Sequence, residues 1–193
     1  MDDDDDKSQK IQIIAFTTNE KDRSPYNILS IYFDNNNHNI IKKNQQLLAF
    51  STTLPGNKKS TKVMICTLID LNIEYEGLDD VNCYIIIIDL QKDSSKDKYS
   101  EIISFINNSC DVSKKIFLLG VKDNKENDEI KISQEEIEKK IKELKRDYDY
   151  FELNLDNSQE ISDKILEILN YSFTNSIDLK QGGEDKSHSC LIF

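Results

Sequence analysis

Short apolar runs alternate with amphipathic segments along most of the chain, and this alternation predicts the order of strands and helices. Runs that are apolar at consecutive or alternate positions predict strands, whereas apolar residues three and four positions apart predict helices. The predicted strands are Lys10–Phe16, Gln46–Thr53, Lys62–Leu71, Cys83–Leu90, Lys115–Val121 and Tyr150–Leu155, and the predicted helices are Pro25–Phe33, Tyr99–Asn108, Ser133–Tyr148 and Gln159–Phe173.

The order of these elements predicts an α/β fold with a mostly parallel six-stranded sheet, one antiparallel edge strand and helices on both faces. The turn Leu54-Pro55-Gly56-Asn57 joins the second and third strands as an antiparallel pair. Ser133 and Glu136 predict a capping box at the start of the third helix. Ligands of such sheets bind beyond the carboxyl ends of the strands. The loops that would line a site follow Phe16, Leu71, Val121 and Leu155.

The length of 193 residues predicts one domain with tails. Residues 1–8 form an acidic run that predicts a disordered arm, although Asp3 to Lys7 also matches an enterokinase cleavage site. Residues 9–173 are assigned to the domain. The polar residues from 174 to 193 predict a flexible C-terminal tail.

Charge and cysteine usage exclude several classes of function. A net charge of −11 argues against binding nucleic acid, because phosphate contacts need a basic face. No apolar stretch approaches the roughly 20 residues of a membrane-spanning helix, so we expect synthesis in the cytosol. Cys66, Cys83 and Cys110 show no metal-ligand spacing and no basic neighbour, which predicts buried or inert thiols.

Three segments at the predicted strand ends resemble, in position, the nucleotide motifs of the Ras superfamily of small GTPases. Thr17 to Ser24 occupies the slot of the phosphate loop GxxxxGK[ST] and ends in Arg23 and Ser24. Asp70-Leu71-Asn72-Ile73 occupies the slot of DxxG, and Val121-Lys122-Asp123-Asn124 that of NKxD. The length of the chain, the order of its elements and its last four residues, Cys190 to Phe193, extend the resemblance from Lys10 to Phe193. This resemblance implies a Ras-like P-loop three-layer fold.

The same segments depart from the family pattern where nucleotide is held. Both glycines of the phosphate loop are replaced, and side chains there obstruct the backbone N–H groups that wrap phosphates. Glu74 stands in the place of the usual catalytic glutamine, and no Ser-Ala-Lys motif is present at Asn154-Leu155-Asp156. The resemblance therefore implies a pseudo-GTPase that needs no cofactor and acts as an interaction module in signalling or membrane traffic.

The alternative is a divergent switch that binds GTP or GDP with magnesium and hydrolyses GTP slowly. In that case Arg23 and Ser24 contact the phosphates, Asp70 holds magnesium through a water, and Lys122 lies against the base. Only this alternative makes the chain an enzyme, and the sequence alone leaves the choice open.

The C-terminal Cys190-Leu191-Ile192-Phe193 fits the CaaX pattern with a terminal Phe, which favours geranylgeranyl transfer to Cys190. The tail carries Lys180 and Lys186 against three acidic residues, so it lacks a polybasic second signal and we expect reversible attachment. The predicted location is the cytoplasmic face of a membrane, in exchange with the cytosol. The predicted partners are a prenyltransferase, a prenyl-binding chaperone, and proteins that contact the loops after Phe16 and Leu71.

Overall fold

Seven strands and three full helices make up the described part of the chain. The computed structural model describes residues 9–19, 27–29, 31–32, 39–43, 47–54, 60–68, 71, 78, 81–123 and 129–179. The strands are β1 (Gln9–Thr17), β2 (Asn39–Lys43), β3 (Leu47–Thr52), β4 (Thr61–Thr67), β5 (Cys83–Asp89), β6 (Ile116–Lys122) and β7 (Tyr148–Asn154). The helices are α1 (Ser94–Ser109), α2 (Gln134–Glu143) and α3 (Ser158–Leu179), and residues 27–29 and 31–32 are also helical.

The strands form one sheet in the order β2-β3-β4-β1-β5-β6-β7. β1 pairs in parallel with β4 and β5, and β5, β6 and β7 continue in parallel. β3 pairs antiparallel with both β4 and β2, so β3 alone runs against the other strands. The predicted mostly parallel sheet is therefore confirmed, and all six predicted strands are present. The sheet has one strand more than predicted, β2, which pairs with the outer side of β3. The edge of the sheet is therefore β2 and not, as predicted, the antiparallel strand β3.

Apolar layers cover both faces of the sheet, which explains why the central strands have no polar alternation. On one face Ile11 and Ile13 of β1 pack with Ile161, Ile165 and other apolar residues of α3. On the other face Ile14 and Phe16 of β1 pack in the layer that contains α1 and α2. Every residue of β5 is buried, because the strand lies in the middle of the sheet between two helical layers.

Three helix boundaries differ from the prediction by five or more residues. α1 begins at Ser94, five residues before the predicted start, because polar residues form its exposed first turn. The predicted capping box of α2 is present, since Ser133 accepts a hydrogen bond from the backbone of Glu136 and the Glu136 side chain bonds back. The extension of this helix to Tyr148 was wrong. The helix ends at Glu143, Lys145 has a φ of 52°, and Tyr148 starts β7.

None of the helices in the described ranges combines the length and the apolar character that crossing a bilayer requires. α3 is the longest of them, and it extends to Leu179, six residues past the predicted helix end.

Candidate functional site

The carboxyl ends of β1 and β5 meet at the point where the strand order changes direction. After β1 the chain builds β2, β3 and β4 on one side of that strand and then returns to place β5 on its other side. In open α/β sheets the crevice at such a switch point is the usual ligand site. Here the position is occupied by Thr18, Asn19, Asp89, Gln91 and Ser95, which we call the switch-point cluster.

Thr18 joins the end of β1 to β5 and α1. Its backbone N–H donates to the carbonyl of Ile87 at 3.0 Å, which prolongs the parallel pairing by one residue. Its hydroxyl accepts from the backbone N–H of Asp89 at 2.9 Å and lies 3.0 Å from the hydroxyl of Ser95, to which it donates. Thr18 therefore uses its side chain to fix the spacing between the ends of β1 and β5.

Asp89 is the buried carboxylate of the switch-point cluster, with 1% of its surface exposed. One carboxylate oxygen accepts from the side-chain amide of Asn19 at 3.0 Å, and the other accepts from the backbone N–H of Gln91 at 3.0 Å. A buried carboxylate is tolerated when such donors replace its water. Asn19 thereby turns its amide towards β5 and is itself 9% exposed.

Gln91 extends the switch-point cluster to the end of β6. Its side-chain amide donates to the carbonyl of Asp123 at 2.9 Å, and its side-chain carbonyl accepts from the N–H of Asp123 at 2.7 Å. These two hydrogen bonds resemble the backbone hydrogen bonds between neighbouring strands of a sheet. The carboxyl ends of β1, β5 and β6 are therefore held together by side chains of the protein itself.

The switch-point cluster is not evident from the sequence pattern. Asp89 ends an apolar run that predicts only a buried strand, and Thr18 and Asn19 stand in the slot of the phosphate loop. Polar residues directly after two buried parallel strands were the available signal. The order of strands in the sheet decides which of these residues meet, and the positions of the residues along the sequence do not give that order.

Of the residues predicted for nucleotide binding, Lys122 is the one that the structure describes. It is the last residue of β6, and its ammonium group forms an ion pair with Glu152 of β7. Its side chain is 33% exposed. Arg23, Ser24, Asp70 and the lipidation candidate Cys190 lie outside the described residues.

The segment that would hold the last nucleotide motif folds into a closed turn. Asp156 donates its backbone N–H to the side-chain oxygen of Asn154 at 3.1 Å, and Leu155 donates to the carbonyl of Lys122 at 2.9 Å. The local backbone is thus satisfied by its neighbours.

A groove of about 590 Å³ lies between α1 and α2. Lys96 of α1 and Glu136 of α2 form an ion pair across it at 3.1 Å, and Lys140 donates to the hydroxyl of Ser100. Hydrogen bonds from Ser133 and the contact with Lys96 lower the pKa of Glu136 to about 2. One ion pair and one hydrogen bond therefore connect the two helices across this groove.

The three described cysteines are buried, as predicted. Burial raises the pKa of the Cys83 thiol to about 12, so this cysteine stays protonated and is a poor nucleophile. Among residues with described positions, no cluster of three or more histidine, cysteine, aspartate or glutamate side chains could hold a metal ion.

No protein-family model matches this chain, and no curated protein sequence matches it.

Proposed function

We propose that the chain is a prenylated, membrane-attached protein of the Ras-like P-loop type that works without nucleotide, as an interaction module in signalling or membrane traffic. The order of strands and helices, with one strand antiparallel to the rest, supports a fold of this type. The resemblance described above runs over the same elements.

The observation that carries the proposal is the filled switch point. In a nucleotide-binding α/β protein, backbone N–H groups beyond the first strand are directed at phosphate oxygens. In this chain the first residues beyond β1 are bound to other parts of the protein: Thr18 to β5 and α1, and Asn19 to the carboxylate of Asp89. The side chains of the switch-point cluster are 9% exposed or less, which supports a role without nucleotide.

Charge at this position also disfavours a nucleotide. A phosphate about 4 Å from the Asp89 carboxylate would be repelled by about 4 kcal/mol at an effective dielectric constant near 20. That energy corresponds to roughly a thousandfold loss in affinity. The side-chain amide of Asn19, a group able to donate to an anion, donates to Asp89 instead.

The partners of this module follow from the sequence. Cys190 carries the lipid that brings the domain to the cytoplasmic face of a membrane, and the loops after Phe16 and Leu71 present the surface that contacts proteins. These loops follow neighbouring strands, because β1 and β4 pair directly. No bond has to be made or broken for such a role.

One observation favours the alternative of a slow GTP-binding switch. Lys122 ends β6 at the carboxyl edge of the sheet, where the resemblance places the lysine that contacts the base. In that alternative Arg23, Ser24 and Asp70 hold the phosphates and magnesium, and the ion pair between Lys122 and Glu152 must open or shift when nucleotide binds.

The deciding experiment measures nucleotide in and on the purified full-length protein. Denaturing release and chromatography report what copurifies, and titration with fluorescent GTP, GDP and ATP, with magnesium or with EDTA, reports affinity. We expect an empty protein and no binding at concentrations up to about 1 mM, equivalent to less than about 4 kcal/mol of binding energy. Lys122→Gln serves as the matched variant. Submicromolar magnesium-dependent binding that Lys122→Gln weakens would establish the switch instead.

A further inference from the structure

Strand β7 forms one lateral edge of the sheet, since the strand order ends at β7 beside β6. The two strands pair in unbroken parallel register, from Tyr148 opposite Ile116 to Asn154 opposite Lys122. Leu153 is the only buried residue of β7, and no strand of the described residues lies beyond β7.

Alternation along β7 determines which backbone groups face outwards. Ile116 donates to the carbonyl of Asp147 at 3.0 Å, and Leu155 donates to the carbonyl of Lys122 at 2.9 Å. In a parallel pair these groups alternate between the two sides of a strand, so the odd-numbered residues of β7 bond to β6. The amides and carbonyls of Tyr148, Tyr150 and Glu152 therefore point away from the sheet, and no backbone partner for them lies in the described part of the chain.

The two edges of the sheet are protected differently. The β2 edge has an irregular register between Ile40 and Lys42 and carries Lys42 and Lys43. Bulges and lysines of this kind prevent further strands from pairing with an edge. β7 contains neither a lysine nor a proline, and its register has no shift. It carries Tyr148, Tyr150 and Phe151, residue types that favour strand pairing.

We infer that the β7 edge binds an extended, basic segment of a partner protein, which adds a strand to the sheet. Backbone hydrogen bonds to the outward groups of Tyr148, Tyr150 and Glu152 supply the pairing, and the alternating side chains of β7 supply selectivity. This surface is the lateral edge of the sheet, whereas the proposed interaction module uses the loops that follow β1 and β4 in the sequence.

Charge selects a basic segment over a second copy of the chain. The protein carries a net charge of −11, so two copies repel each other and a cationic peptide is attracted. β7 itself carries two carboxylates. The Asp149 side chain is 40% exposed and the Glu152 side chain is 35% exposed. Pairing of two β7 strands would bring these acidic groups of both copies to one seam, where like charges destabilise the pair. Each carboxylate already has a lysine partner, so the net field of the chain contributes more than any new ion pair.

Amide hydrogen exchange on the full-length protein tests this directly, with a short synthetic peptide of alternating lysine and valine as the probe. In the free protein the N–H groups of Asp149, Phe151 and Leu153 should exchange slowly and those of Tyr150 and Glu152 quickly. Saturating peptide should slow exchange at the outward-facing N–H groups of Tyr148, Tyr150 and Glu152, and leave exchange at Asp149, Phe151 and Leu153 unchanged. The same peptide with glutamate in place of lysine should give no protection at about 1 mM, the weak-binding limit.

Two variants of Glu152 separate backbone pairing from charge. Glu152→Pro removes an outward N–H while leaving the bonds to β6, because proline is tolerated at strand edges. We expect it to weaken peptide binding at least about tenfold, or about 1.4 kcal/mol. Glu152→Gln keeps the N–H and should weaken binding less than about threefold, since it alters one exposed charge. Tyr148→Pro repeats the blocking test at the first residue of the strand.

Three results would overturn the inference. The first is the absence of protection at Tyr150 and Glu152 with the basic peptide. The second is equal protection by the acidic peptide, and the third is protection that appears with rising protein concentration alone, which would make a second copy the occupant.

Discussion

Single residues at the carboxyl edge of the sheet determine what this site can accept. Asp89 is held by an amide of Asn19 and by the N–H of Gln91, and Thr18 connects the same strand to α1. These bonds satisfy polar groups that a ligand would otherwise have to satisfy. A fully satisfied polar network of this kind makes a structure more rigid, and in the proposed module it gives the neighbouring loops a fixed base.

Replacing Asp89 by asparagine should destabilise the fold by about 2 kcal/mol, because an isosteric amide presents a donor where the structure supplies donors. Urea unfolding of the purified protein measures this change. Asp93→Asn is the matched control: Asp93 is exposed and its side chain makes no capping bond, so the change should stay below about 0.5 kcal/mol. If Asp89→Asn lowered the free energy of unfolding no more than Asp93→Asn does, the contacts of Asp89 would contribute nothing to stability.

At the scale of elements, helix α1 ends on a side chain from a distant segment. Arg146 is 7% exposed, and its guanidinium donates to the carbonyls of Ile106 at 2.9 Å, Cys110 at 2.7 Å and Asp111 at 2.8 Å. Of these three acceptors only the carbonyl of Ile106 lies within α1, and it also accepts from the backbone N–H of Cys110. Arg146 therefore adds donors at and just beyond the C-terminal end of α1, and it connects this end to the segment that leads into β7.

Arg146→Ala should lower the free energy of unfolding by about 3 kcal/mol, since buried carbonyls lose charge-assisted bonds. Arg146→Lys should restore only part of the loss, because an ammonium cannot reproduce the planar set of donors. Lys145→Ala removes a neighbouring exposed cation and should change stability by less than about 0.5 kcal/mol. The urea midpoints of the three variants measure the order of these stability losses. An Arg146→Ala variant as stable as the wild-type protein would contradict the role of Arg146 at the end of α1.

At the scale of the whole molecule, an acidic domain is expected to reach membranes through one lipid. A single lipid chain gives reversible attachment unless a second signal is present, and the sequence from Thr174 onwards has no basic cluster. The proposed module therefore exchanges between membrane and cytosol, and both the loops of the carboxyl edge and the β7 edge are available to partners in either place.

Cys190→Ser should abolish incorporation of labelled geranylgeranyl in cells and shift the protein from membranes to cytosol. Phe193→Ser is the matched variant, because a terminal serine favours farnesyl transfer and should change the lipid while keeping membrane attachment. Mass spectrometry of the C-terminal peptide identifies the lipid. A wild-type protein that carries no lipid and fractionates only with cytosol would refute the anchor.

Hydrophobic periodicity by itself determined the α/β class, because strands buried between two helical layers must be apolar throughout and helices must show an apolar stripe. The runs at Cys83 and Lys115 and the stripe from Ile161 to Leu169 therefore predicted their elements correctly. Periodicity failed at Tyr148, whose helical spacing from Leu144 was accidental. There the pairing of Tyr148 with Ile116 in the sheet overrode the local pattern.

Only the tertiary structure decided which polar residues form the site and which edge of the sheet is open. Asn19 and Asp89 are separated by 70 positions, and they meet because β1 and β5 are neighbours in the sheet. Likewise, β7 becomes an edge only through the strand order. Local periodicity specifies most of the elements, although not β2. Contacts between distant polar groups arise from how the elements pack, which no local pattern encodes.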